Sequence, residues 1–220
     1  MYVLELSLLI AMIYHDWQNP HLLSYLLCYG ISSSISYIMQ NKFTTYNQIK
    51  YCNFADKRCL CSIPNFGDVI SNLTFILAGV YHIIQANIIF GSICIGIGIG
   101  STYFHCKPSI TTLYWDRLPM IFGMAWTINY YSGLNLEHLL LHGLLSLDYH
   151  LLTSNLSMYV AFQLNMLVFL FWINGLSCPF ALYLLAKYFE DNDKKYYLQT
   201  GYISGHSIKH ILAGIAMFLI

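Results

Sequence analysis

Charge is scarce in this chain. Lysine, arginine, aspartate and glutamate together make up 9% of the residues, and the ten basic and ten acidic side chains cancel. With 57% of residues hydrophobic, too little polar surface remains to cover a water-soluble globule of 220 residues. Without a net charge or a basic patch, nucleic acid is excluded as a partner, and so is a strongly acidic one. Paired cysteine motifs are missing as well. The seven cysteines are odd in number, and Cys59 and Cys61 form a lone C-x-C with no second pair at zinc-finger spacing, so neither a disulfide framework nor a cysteine metal site is expected. No basic stretch and no small-residue cleavage site precede Tyr14, so no removable signal peptide is expected. Internal repeats and low-complexity tracts are absent.

What the chain does have is apolar length. Crossing about 30 Å of hydrocarbon at about 1.5 Å per residue takes roughly 20 apolar residues in a helix. Segments 68–86, 88–105, 113–132, 136–152, 156–173, 178–190 and 202–220 meet or approach that length, which predicts an all-α polytopic membrane protein with a seven-helix core. Residues 21–39 read as one further span, and 2–14 as a short apolar helix. The chain therefore divides into an N-terminal membrane segment, 1–50, and a seven-helix domain, 51–220. The polar stretch Asn41 to Asp68 reads as a loop between spans, and the 16% aromatic content suits belts of tyrosine and tryptophan at the interfaces.

The basic residues set an orientation. Lys42, Lys50, Lys57, Arg58, Lys107, Arg117, Lys187, Lys194, Lys195 and Lys209 all lie in, or within about two turns of, loops that seven core spans place on one side. The opposite loops, near Gln85–Asn87, Ser132–Glu137 and Asn174–Cys178, contain no lysine or arginine. By the positive-inside rule the first side is cytoplasmic and the C-terminus faces away from it.

Ionisable groups inside such spans need a partner or a purpose, because a polar side chain in hydrocarbon costs on the order of a few kcal/mol. His206 and His210 stand one helical turn apart at the start of the last span, so both imidazoles leave the same face. Ser101 and His105 repeat that spacing at the end of the second core span, and Asp116 opens the third across a short turn. All five fall near the cytoplasmic ends of their helices. Three histidines leave a fourth tetrahedral position open, the pattern of a catalytic rather than a structural zinc. His138 and His142 form a second H-x-x-x-H beside Glu137, expected at the opposite interface. Asp148 and His150 have a suitable depth to be alternative ligands or supporting groups. Cys106 points about 100° away from His105 and is not expected to be a ligand. Ser92, Gly96 and Gly100 recur every four residues, which predicts close approach of a neighbouring helix. Arg117 and Lys209 read as headgroup anchors.

Several runs carry a family resemblance: Phe54-Ala55-Asp56-Lys57-Arg58, Ile63-Pro64-Asn65-Phe66-Gly67-Asp68-Val69-Ile70-Ser71-Asn72, Gly100-Ser101-Thr102-Tyr103-Phe104-His105, Trp115-Asp116-Arg117-Leu118-Pro119-Met120 and Gly205-His206-Ser207-Ile208-Lys209-His210. In their order they resemble bacterial members of the alkaline ceramidase family, within a superfamily that includes adiponectin-receptor-like and GPI-remodelling membrane hydrolases. The resemblance covers residues 51–220. It implies a Zn²⁺ held by His105, His206 and His210, catalytic roles for Asp116 and Ser101, a ceramide-like membrane lipid as substrate, and a bacterial inner membrane with the zinc site toward the cytoplasm. The same superfamily contains receptor-like or scaffold members, in which the zinc is structural. Eukaryotic members bind Ca²⁺ before the first core helix, where this chain offers only Asn53, Asp56, Asn65 and Asp68 as oxygen donors. The implied chemistry is hydrolysis of an amide, with Asp116 as general base and Ser101 as a hydrogen-bond donor.

Overall fold

The computed structural model describes residues 2–38, 53–153, 155–175 and 178–220. Lys42, Lys50 and most of the polar loop that carries them lie outside the described residues. Helices α1 (Tyr2–Asp16), α2 (Leu22–Ile38), α3 (Phe66–Ser71), α4 (Leu73–Ile84), α5 (Ile88–Cys106), α6 (Ile110–Ser132), α7 (Leu136–Thr153), α8 (Ser157–Asn174), α9 (Cys178–Asp191), α10 (Asp193–Thr200) and α11 (Gly205–Phe218) follow in order. No strand occurs among the described residues. Each expected core span is helical, but among the described residues only Phe66–Ile84, Ile88–Cys106 and Ser157–Asn174 are long and apolar enough by themselves to cross a membrane. Leu22–Ile38 is apolar but shorter. The first core span is two helices joined at Asn72, whose Nδ2 donates to the Asp68 carbonyl at 3.1 Å across the joint.

The chain forms two compact units, residues 49–120 with 176–220, and residues 1–48 with 121–175. In the first, α4 and α5 cross where Gly79 faces Gly91. A Cβ on either glycine would lie 2.6 Å from the other's carbonyl oxygen, so only glycine permits this approach. α11 packs on α4, held where His82 Nε2 meets the Met217 carbonyl at 2.7 Å and Thr74 Oγ1 donates to the His210 carbonyl at 3.1 Å.

The start of α6 is set locally. Ser109 and Thr112 form a reciprocal cap, each hydroxyl accepting from the other's backbone N–H, at 3.1 and 2.9 Å. Seven residues further on, Pro119 interrupts the helix without a donor for the Trp115 carbonyl. That carbonyl lies directly against the position a Cβ on Gly100 would take, and a Cβ on Gly96 would sit 3.4 Å from Pro119. Two members of the small-residue series therefore do admit a neighbouring helix, and the helix is the first half of α6.

Ahead of α3, residues 53–65 are tied down by one carboxylate. Asp56 is fully buried and accepts from Arg58 through Nε at 2.9 Å and Nη2 at 2.6 Å, and from the Gly67 N–H at 2.8 Å. Burial by itself would raise this carboxyl, but the Arg58 side chain and the two backbone N–H donors outweigh it and hold it below the ordinary carboxylate range. A depressed folded value means that Asp56 stabilises the fold above its unfolded pKa of about 3.9, and that this contribution disappears as pH falls through the folded value. Thermal unfolding in detergent is therefore expected to show a midpoint that falls more steeply below about pH 4 in the parent than in Asp56→Asn. Identical acid slopes would contradict this.

Candidate metal centre

Three imidazoles meet at one point in the first unit. His105 comes from the last turn of α5, and His206 and His210 come from the first two turns of α11. All three are buried, and each offers a nitrogen within 4.8 Å of the others. Ser204 caps α11, accepting from the Ser207 N–H at 2.9 Å, and Asp193 Oδ1 accepts the His206 N–H at 2.8 Å. The carbonyl of His105 is held by Asn65 Nδ2 at 2.8 Å, and the Phe54 ring covers His105 with centroids 4.3 Å apart.

The ring nitrogens have distinct partners. His210 Nδ1 lies 2.9 Å from Ser71 Oγ and 3.2 Å from the Asp68 carbonyl, which leaves Nε2 for the cluster. His105 Nε2 and His206 Nε2 face each other at 3.2 Å. Two nitrogens about 2.0–2.1 Å from one tetrahedral ion stand about 3.3 Å apart, so the spacing suits a shared cation. Two neutral imidazoles facing in this way have at most one proton between them for the contact. These residues fit a metal ion, and among the described residues they form the only such group of three.

Beside them stand the serine and aspartate. Ser101 is one turn before His105 on α5, at the level where the backbone of Asp116 on α6 crosses that helix. Gly100 permits this: a Cβ there would lie 3.3 Å from the Asp116 Cα, so only the glycine lets the two helices come together at that level. Asp116 is buried, and its Oδ1 has no hydrogen-bond partner among the described residues. A buried acceptor left unmade costs on the order of 1–3 kcal/mol, which marks it for a group the resting protein does not itself supply.

Other candidates fall elsewhere. Cys106 is exposed, and Asp148 is exposed on α7 in the second unit. His150, in that same unit, is buried outside the trio. His142 has partners inside the protein. It is buried in the second unit with Nδ1 3.0 Å from Tyr25 Oη and Nε2 3.8 Å from Glu5 Oε1, while Tyr29 donates to that same glutamate. A polar knot thus joins α1, α2 and α7.

Of the four possible calcium donors, Asp56 is taken by Arg58 and Asp68 Oδ1 by Ser204 and Ser207 at 2.6 and 2.7 Å, whereas Asp68 Oδ2 is buried without a hydrogen-bond partner among the described residues, Asn65 bonds the His105 carbonyl through Nδ2 and Asn53 is exposed. Lys209 also departs from expectation. It does not extend as a headgroup anchor but turns inward, donating to Glu190 at 2.8 Å and standing 3.4 Å from His206 Nε2. Glu190 carried no signal in the sequence, because it meets the cluster only through the packing of α9 on α11.

Fold and site together define the class: an all-helical protein with membrane-length apolar helices and a buried three-histidine cluster able to hold a metal ion. No family model, curated protein or solved structure matches the chain.

Proposed function

We propose that this protein is a zinc-dependent membrane hydrolase that cleaves the amide bond of a ceramide-like lipid to a sphingoid base and a free fatty acid, as the resemblance to alkaline ceramidases implies. The observation that carries the reading is the pairing of three converging imidazoles with a buried carboxylate that has an unpartnered oxygen. A purely structural zinc calls for four protein ligands and no idle base. When bound, zinc lowers the pKa of water toward about 7 and polarises a carbonyl oxygen. Asp116 accepts the proton of the attacking water and returns it to the leaving amine. Ser101 orients that carboxylate with its single hydroxyl proton.

The outward faces suit a bilayer. Leu73, Leu77, Ile84, Ile88, Ile89 and Ile99 on α4 and α5 are exposed. A seven-span core with its site toward the cytoplasm completes the reading, and the one-sided basic residues support it. Impermeant labelling of an added C-terminal cysteine is expected from outside intact cells; labelling only after lysis would reverse the orientation.

Incubation of the purified protein with mixed ceramides and phospholipids, followed by mass analysis, tests the chemistry. The expected result is loss of a ceramide, release of matching fatty acid and sphingoid base, and suppression by a zinc chelator. Zinc bound without lipid consumption would instead identify a receptor-like or scaffold protein.

A further inference from the structure

Phe54 is an apolar cover on the histidine cluster. Its ring is buried, with centroids 4.3 Å from His105, 5.5 Å from His206 and 5.6 Å from Phe104. An imidazole leaves a metal ion by swinging its ring, and an aromatic ring packed against it hinders that swing and keeps water off the ligand. The cover acts only while it stays in place, and Phe54 sits on an irregular strap, residues 53–58, rather than on a helix.

The strap is held beside that ring by a side chain from far along the chain. The Ala55 N–H donates to Asp193 Oδ2 at 3.0 Å, and the other oxygen of the same carboxylate accepts the His206 N–H at 2.8 Å. One carboxylate thus joins the residue after the cover to the backbone of a candidate ligand, through two charge-assisted bonds. The joint is tight. A Cβ on Gly205 would run into the Phe189 carbonyl and lie 2.7 Å from the Asp193 Cα, so only glycine lets the start of α11 come this close to α10. Asp56 and Arg58 tie the strap further along, to the Gly67 N–H and the Tyr202 carbonyl. Asp193 governs the Phe54 end.

We propose that Asp193 is a positioning residue of the metal centre: it clamps the strap to the first turn of α11, which keeps Phe54 on His105 and His206 and makes a bound ion slow to exchange. This rests on the cluster holding a metal ion and not on the lipid chemistry. Asp193 touches no imidazole nitrogen in this arrangement; it acts through Ala55 and the His206 backbone.

The test loads the purified protein in detergent with Co²⁺ and follows release of the ion to excess EDTA. Phe54→Ala and Asp193→Ala are each expected to speed release by about tenfold or more, the scale on which supporting groups act on metal sites. Their visible Co²⁺ bands are expected to weaken as water adds to the ion. The double variant is expected to stay within about threefold of the faster single one, short of the roughly hundredfold product, because both substitutions undo one contact. Asp193→Asn, which keeps one acceptor, falls between parent and alanine and carries the comparison if Asp193→Ala does not fold. His82→Ala removes a tie between α11 and α4 away from the strap, so it is expected to lower the unfolding midpoint and leave release at the parent rate. Release from the Asp193 variants at the parent rate would overturn the proposal. So would single effects that multiply in the double variant, or an equal acceleration in His82→Ala. A parent that takes up no Co²⁺ would remove the metal centre and this role together, whereas one that binds Co²⁺ and cleaves no lipid would refute the hydrolase reading alone.

Discussion

Asp116→Asn is expected to keep its metal and its fold while losing on the order of a hundredfold or more in lipid turnover. The substitution preserves size and removes the base. The native carboxylate is buried and leaves Oδ1 without a hydrogen-bond partner among the described residues, so the change removes one chemical function. Metal analysis, circular dichroism and initial rates on the same preparation decide the matter. Equal turnover in the two proteins would exclude Asp116 as the base. Loss of metal would instead make it a ligand or a support for His105. Ser101→Ala is a weaker companion, because the hydroxyl orients a group that remains in place.

His206→Ala and His210→Ala are each expected to abolish stoichiometric metal, from about one ion per chain to near none, because two nitrogens do not hold zinc in a tetrahedral site. The contrast with the other pair makes the test specific. His142 bonds to Tyr25 and approaches Glu5 in the second unit, so His142→Ala and His138→Ala are expected to leave metal content unchanged, although the former weakens the packing of α1 and α2. Between these extremes lies Ser71→Ala. Its hydroxyl meets His210 Nδ1 at 2.9 Å, and its loss is expected to weaken metal affinity by about ten- to hundredfold without removing a ligand. Retained metal in His206→Ala together with loss in His142→Ala would reverse the assignment.

Much of this was open to reading in the sequence, for reasons of period and length. A spacing of four on an apolar helix puts His206 beside His210 and Ser101 beside His105, and a short turn limits how far Asp116 can stray. The helix bounds follow the apolar runs to within a few residues, because capping residues such as Ser109 and Ser204 act on their own neighbours. The series Ser92, Gly96 and Gly100 announced a close helix contact, although not that the Trp115 carbonyl would fill the gap at Gly100.

What the tertiary structure alone decided were the directions of long or ambiguous side chains. Lys209 has four flexible methylenes and turns inward because Glu190, on another helix, lies within 2.8 Å. His142 shares its spacing with His206, yet a tyrosine and a glutamate brought by two other helices bury it away from any metal. Asp56 was an available cation ligand until the fold placed Arg58 and the Gly67 N–H around it. Periodicity states which face a residue shares along its own helix; its partner across the bundle comes from residues far away in the chain, and only packing brings them together.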